Sequence, residues 1–71
     1  MPKLYSSEEI RKFLQKIGFQ MISQKGSHGK FRDPNGKTVI LPMNKKEIPI
    51  GTFRSVLRQA GTDIITFERN V

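Results

Sequence analysis

The sequence predicts a small α+β domain of order α-β-β-β-α, with two amphipathic helices on one face of a three-stranded antiparallel sheet. Three observations carry that prediction. A capped apolar stripe at helical spacing ends at Gly18. Three strand-like segments separated by glycine-bearing turns fill residues 19–42, and a second apolar stripe runs from Pro49 to Gly61.

The first helix begins after Ser6, whose side chain is placed to cap the first turn, and Glu9 completes a Ser-x-x-Glu capping box. Tyr5 and Ile10 are spaced as a hydrophobic staple. Ile10, Phe13, Leu14 and Ile17 recur at i, i+3, i+4 and i+7, giving one apolar face. Gly18 ends the helix. Residues 19–24 read as the first strand, Gly26 to Gly29 as its bounding turn, His28–Arg32 as the second strand and Thr38–Pro42 as the third. Asp33-Pro34-Asn35-Gly36 carries proline and glycine at the positions a tight turn favours. Pro49 suits a helix start, where the first N–H groups have no intrahelical partner. Ile50, Phe53, Val56, Leu57 and Ala60 form the inner face of that second helix. Residues 62–71 contain Ile64, Ile65 and Phe67 and lean toward a short helix. The chain reads as one domain over residues 1–71.

Strand alternation makes a sharper statement about the middle of the chain. If Asp33 pairs with Lys37, Phe31 lies opposite Val39 and Gly29 opposite Leu41, so Phe31, Val39 and Leu41 share the buried face. His28, Lys30 and Arg32 then line the open face, beside Thr38 and Ile40. His28 is the only histidine of the 71 residues, and it stands in Lys25-Gly26-Ser27-His28-Gly29-Lys30. Imidazole is the side chain whose ordinary pKa lies near neutrality. A proton-transfer group heading a cationic strip points to chemistry on a polyanion.

Composition narrows the class of partner. Thirteen Lys and Arg stand against six Asp and Glu, for a net charge of +7. No acid falls between Glu9 and Asp33, whereas Arg11, Lys12, Lys16, Lys25, Lys30 and Arg32 all do. That balance favours nucleic acid or an acidic protein. A chain this short buries only about 60% of its unfolded surface, which argues against a deep enclosed site. With no cysteine, neither disulfides nor a thiolate zinc site is expected, and no acid–histidine cluster has metal-ligand spacing. The longest aliphatic run, Val39-Ile40-Leu41, is far below a membrane span, and no signal-peptide run opens the sequence. A cytoplasmic protein without cofactor is the expectation.

The order of several short motifs resembles one known family. Gly18-Phe19 after an amphipathic helix, Gly26-Ser27-His28 before Phe31, Pro42 closing a strand, Pro49-Ile50-Gly51-Thr52-Phe53, and Arg58-Gln59-Ala60-Gly61 together look like the HicA toxins of bacterial and archaeal toxin–antitoxin systems. The resemblance runs from about residue 4 to 67. It implies a fold similar to the double-stranded-RNA-binding domain and a metal-independent ribonuclease that cleaves mRNA. It also implies neutralisation by a HicB-type antitoxin, with assembly chiefly through that antitoxin. The family's catalytic histidine falls on His28. Many members carry a second histidine shortly after the strand-ending proline, where this chain has Pro42-Met43-Asn44.

Metal-free RNA cleavage needs proton removal from a 2′-hydroxyl, proton delivery to the leaving oxygen, and stabilisation of phosphorane charge. His28 suits either proton transfer, and nearby cations or backbone N–H groups suit the third task. Lys25, Lys30 and Arg32 would hold the RNA in register, Ser27 would donate to a phosphate oxygen, and Gly26 and Gly29 would let the sugar–phosphate backbone approach. The second proton-transfer group stays open among Tyr5, a lysine, water and another subunit. Ile22 and Ile40 on the open face hint at a covering partner. Two other readings remain: a non-catalytic RNA-binding module of the double-stranded-RNA-binding type, and a protein-binding adaptor. The second helix opens Gly51-Thr52-Phe53, without the lysine cluster such modules place there.

Overall fold

Local sequence explains where each helix starts and stops in the computed structural model, which describes residues 3–71. Helix α1 spans Ser7–Lys16. The Glu9 N–H donates to Ser6 Oγ at 3.1 Å and the Ser6 N–H donates to Glu9 Oε1 at 3.0 Å, so the capping box forms in both directions. At the other end Gly18 takes φ +101°, a left-handed value costly for any residue with a Cβ. The Gly18 N–H then reaches the Gln15 carbonyl at 3.2 Å and the Phe19 N–H reaches the Leu14 carbonyl at 2.8 Å. This pair of bonds is the Schellman closure, and it recurs after the second helix from Gly61 to Arg58 and from Thr62 to Leu57.

Three antiparallel strands follow α1: β1 (Gln20–Lys25), β2 (His28–Arg32) and β3 (Thr38–Pro42), in the spatial order β1-β2-β3. The predicted register is met: Phe31 pairs with Val39, Gly29 with Leu41, and the Asp33 N–H bonds the Lys37 carbonyl at 3.1 Å. The Asp33 carboxylate braces the turn by accepting from the Asn35 and Lys37 N–H groups. The first strand starts one residue later than the sequence suggests, because Phe19 is drawn into the core at the helix exit.

Helix α2 (Ile50–Gln59) and a third helix, α3 (Ile64–Arg69), complete the fold. The order is therefore α-β-β-β-α-α, an α+β arrangement of the double-stranded-RNA-binding-domain type. The extra helix is capped by Asp63, whose carboxylate accepts from the Thr66 N–H at 2.8 Å. Phe67 is wholly buried and packs edge-on against Tyr5, Phe13 and Phe53, with ring centroids 4.6 to 4.9 Å apart. Each such pair contributes about 0.5–1.5 kcal/mol beyond area burial. The tail is thus part of the core.

That core lies between the helices and the inner face of β2 and β3, where Phe31, Val39 and Leu41 are completely buried with Ile10, Leu14 and Ile48. Ile48 lies in a connection that reads as polar in sequence. Every residue of β1, by contrast, is exposed. No helix among the described residues is long and apolar enough to cross a membrane.

Candidate functional site

The site begins at a hairpin. Lys25 pairs with His28, leaving Gly26-Ser27 as a two-residue loop. Gly26 has φ +55° and Ser27 is not left-handed, the pattern of a type II′ turn with glycine first. The Ser27 carbonyl accepts from the Met43 N–H at 2.6 Å, and Gln24 Nε2 donates to the Gly26 carbonyl at 3.1 Å. Both loop residues are exposed while their carbonyls are tied down, so the turn is anchored to strands on either side.

His28 stands at the start of the central strand with Lys25 beside it on β1 and Pro42 beside it on β3. The next open-face row is Ser23–Lys30–Ile40, and the last is Gln20–Arg32–Thr38. Rows on one face are about 6.6 Å apart. The pairing of lysine with histidine depends on a β-bulge. The register shifts between Met21 and Ser23, which leaves Ile22 as an extra residue in β1. In an unbulged strand, counting on from Met21–Phe31 would set Gln24, not Lys25, opposite His28.

His28 lines two neighbouring depressions. One, of about 240 Å³, is bounded by Ser23, Lys25, Lys30 and Ile40, with the Gly29 backbone in its wall. The other, of about 440 Å³, lies between the sheet and the flank of α2, bounded by Ile40, Pro42, Gly51, Thr52, Ser55 and Gln59. No acidic side chain lines either. His28 is exposed, and no protein group among the described residues hydrogen-bonds its imidazole. Both ring nitrogens are therefore open to a ligand. Among the described residues no three His, Cys, Asp or Glu side chains cluster as a metal site would require.

The expected site residues are brought together unequally. Lys25, His28 and Lys30 share one depression, and Gly26 and Ser27 form the turn at its end. Arg32 lies two rows away, donates weakly to Thr38 Oγ1 at 3.4 Å, and lines a separate depression with Gly18, Gln20 and Ile22. Gly29 departs from its expected role of admitting substrate. A Cβ there would meet Met43 Sδ at 3.1 Å and Phe31 Cε1 at 3.2 Å, so the missing side chain serves core packing on the helix side. Tyr5 is buried against Phe53 and Phe67 and lines neither depression containing His28. It is thereby removed from the candidates for a second proton-transfer group. Asn44 holds a left-handed φ of +62° in the exposed connection after β3, a conformation asparagine tolerates better than most residues.

Sequence reasoning missed the contribution of α2. Thr52, Ser55 and Gln59 recur at i, i+3 and i+7, a polar stripe beside the apolar one, and this spacing was the available signal. Only the fold brings that stripe into the depression that His28 also lines. A comparison with curated proteins returned no match. A family model described as the HicA toxin of bacterial toxin–antitoxin systems matches residues 7–62, which contain α1, the whole sheet, His28 and α2. On that match over most of its length, the chain belongs to the HicA toxin family, the toxin side of bacterial toxin–antitoxin systems.

Proposed function

We propose that this toxin is an endoribonuclease that cleaves mRNA without a metal, with His28 as its proton-transfer group. The observation that carries the reading is an exposed imidazole with both nitrogens unengaged, flanked by Lys25 and Lys30 in a depression without acids. RNA supplies its own nucleophile. The 2′-oxygen bonds to phosphorus, its proton passes to a base, and the bond from phosphorus to the 5′-oxygen breaks as that oxygen gains a proton. His28 is placed to act at one of these two transfers, and the lysines offset charge that builds on the phosphate oxygens. Lys25, Gly26, Ser27, Lys30 and Arg32 form the RNA-binding surface, with Arg32 contacting the strand away from the cut.

Neutralisation by a HicB-type antitoxin fits the same face. Ile22 and Ile40 are 48% and 40% exposed around the cationic residues. An acidic partner with apolar side chains would cover both and exclude RNA from His28. An mRNA substrate places the activity in the cytoplasm. Induction in bacteria tests the reading: the wild-type chain arrests growth and degrades transcripts, and His28→Ala does neither. Equal arrest by both proteins contradicts the role of His28. Salt-sensitive RNA binding without cleavage by either would favour the non-catalytic module instead.

A further inference from the structure

Gln59 makes two hydrogen bonds that fix a neighbouring hydroxyl. Its Oε1 accepts from the Ile40 N–H at 2.9 Å, on the outer edge of β3, and its Nε2 donates to Ser55 Oγ at 3.2 Å. The backbone N–H of Ile40 can only donate, so it determines which end of the amide is oxygen. The amino end must then face Ser55. Ser55 Oγ is consequently an acceptor in that bond, and its own proton is directed elsewhere. A helical serine commonly spends that proton on the carbonyl four residues back. Here no such bond forms, and among the described residues no acceptor takes it. Ser55 is half-buried and lines the same 440 Å³ depression as His28.

We propose that Ser55 donates its hydroxyl proton to a non-bridging oxygen of the phosphodiester cleaved at His28, and that Gln59 is the positioning residue that aims it. The proposal rests on the ribonuclease reading above and adds to it a polar wall on α2. A neutral donor there supplements the cations of β1 and β2. The bond strengthens as charge accumulates on the phosphorane oxygens, so its effect falls on the chemical step more than on binding. The Gln59 bond to Ile40 has a second consequence: it occupies an edge N–H that would otherwise be open to strand pairing.

The test uses the full-length protein and an RNA with one cleavable linkage, prepared as the normal phosphate and as each of the two phosphorothioate diastereomers. Sulfur accepts hydrogen bonds poorly, so the wild-type enzyme cleaves one diastereomer more slowly than the other. Ser55→Ala is expected to lower kcat by about 10- to 100-fold with little change in KM, and to shrink the difference between diastereomers. Alanine is the better helix former, so the loss will not come from unfolding. Ser55→Thr keeps the hydroxyl and restores the diastereomer preference, and Gln59→Leu, which frees the serine, gives a smaller loss in the same sense. If His28→Ala is inactive while Ser55→Ala retains wild-type kcat and preference, the proposal is overturned and the ribonuclease reading stands. If the wild-type protein cleaves none of the three substrates, both fall.

Discussion

Ser7 is the one buried polar residue among those described, and it joins α1 to the strand that flanks His28. Its hydroxyl donates to the Pro42 carbonyl at 2.6 Å and accepts from the Lys45 N–H at 3.0 Å, while its own N–H donates to the Lys45 carbonyl at 3.0 Å. Pro42 is the β3 neighbour of His28, so this serine helps hold one wall of the site. Ser7→Ala leaves the part-buried Pro42 carbonyl and Lys45 N–H without this partner, and is expected to cost about 1 kcal/mol, read as a lower urea midpoint with unchanged m. Nothing local announces such a residue, because its partners lie 35 and 38 positions away. His28 was legible for the opposite reason. Its type, its glycine neighbours and the parity of its strand are all local facts. Gly29 shows the limit of that legibility: a glycine beside a candidate site looks like access, and only packing reveals Met43 behind it.

At the scale of elements, capping and periodicity foretold α1, β2, β3 and α2 because each is set by residues within one turn or one pleat. The bulge at Ile22 was not foretold, since it arises from matching two strands of different length between fixed ends. The third helix was only half legible. Residues 64–69 are too short to hold themselves helical, and Phe67 commits them by packing on three rings from distant segments. The caps make a prediction about acid. The Ser6 backbone bond to Glu9, and the Thr66 backbone bond to Asp63, pull each carboxyl below its usual value of 4.5 and 3.8 respectively. A group whose folded pKa is depressed stabilises the fold above its unfolded value and loses that contribution as pH falls through the folded one. Melting temperature should therefore drop on acidification below about pH 4.5, and Glu9→Gln and Asp63→Asn should each flatten that limb. Thermal melts across pH 2 to 7 on the three proteins check it.

Taken as a whole, the molecule separates its tasks by face. Helices and aromatic rings occupy one side of the sheet, and the other carries the rows headed by His28, Lys30 and Arg32. A net charge of +7 attracts polyanions at long range, and attraction alone would not distinguish a binder from an enzyme. In the proposed mechanism the distinction lies in one imidazole, which lines two neighbouring depressions. Because His28 is exposed, its removal leaves the core untouched and isolates the chemistry. The most direct test is therefore purified wild-type and His28→Ala protein incubated with RNA in excess chelator, at matched melting temperature. If His28 is the proton-transfer group, the wild type cuts the RNA to fragments ending in 2′,3′-cyclic phosphate, and His28→Ala still binds but does not cut. Cleavage by His28→Ala at the wild-type rate would contradict it.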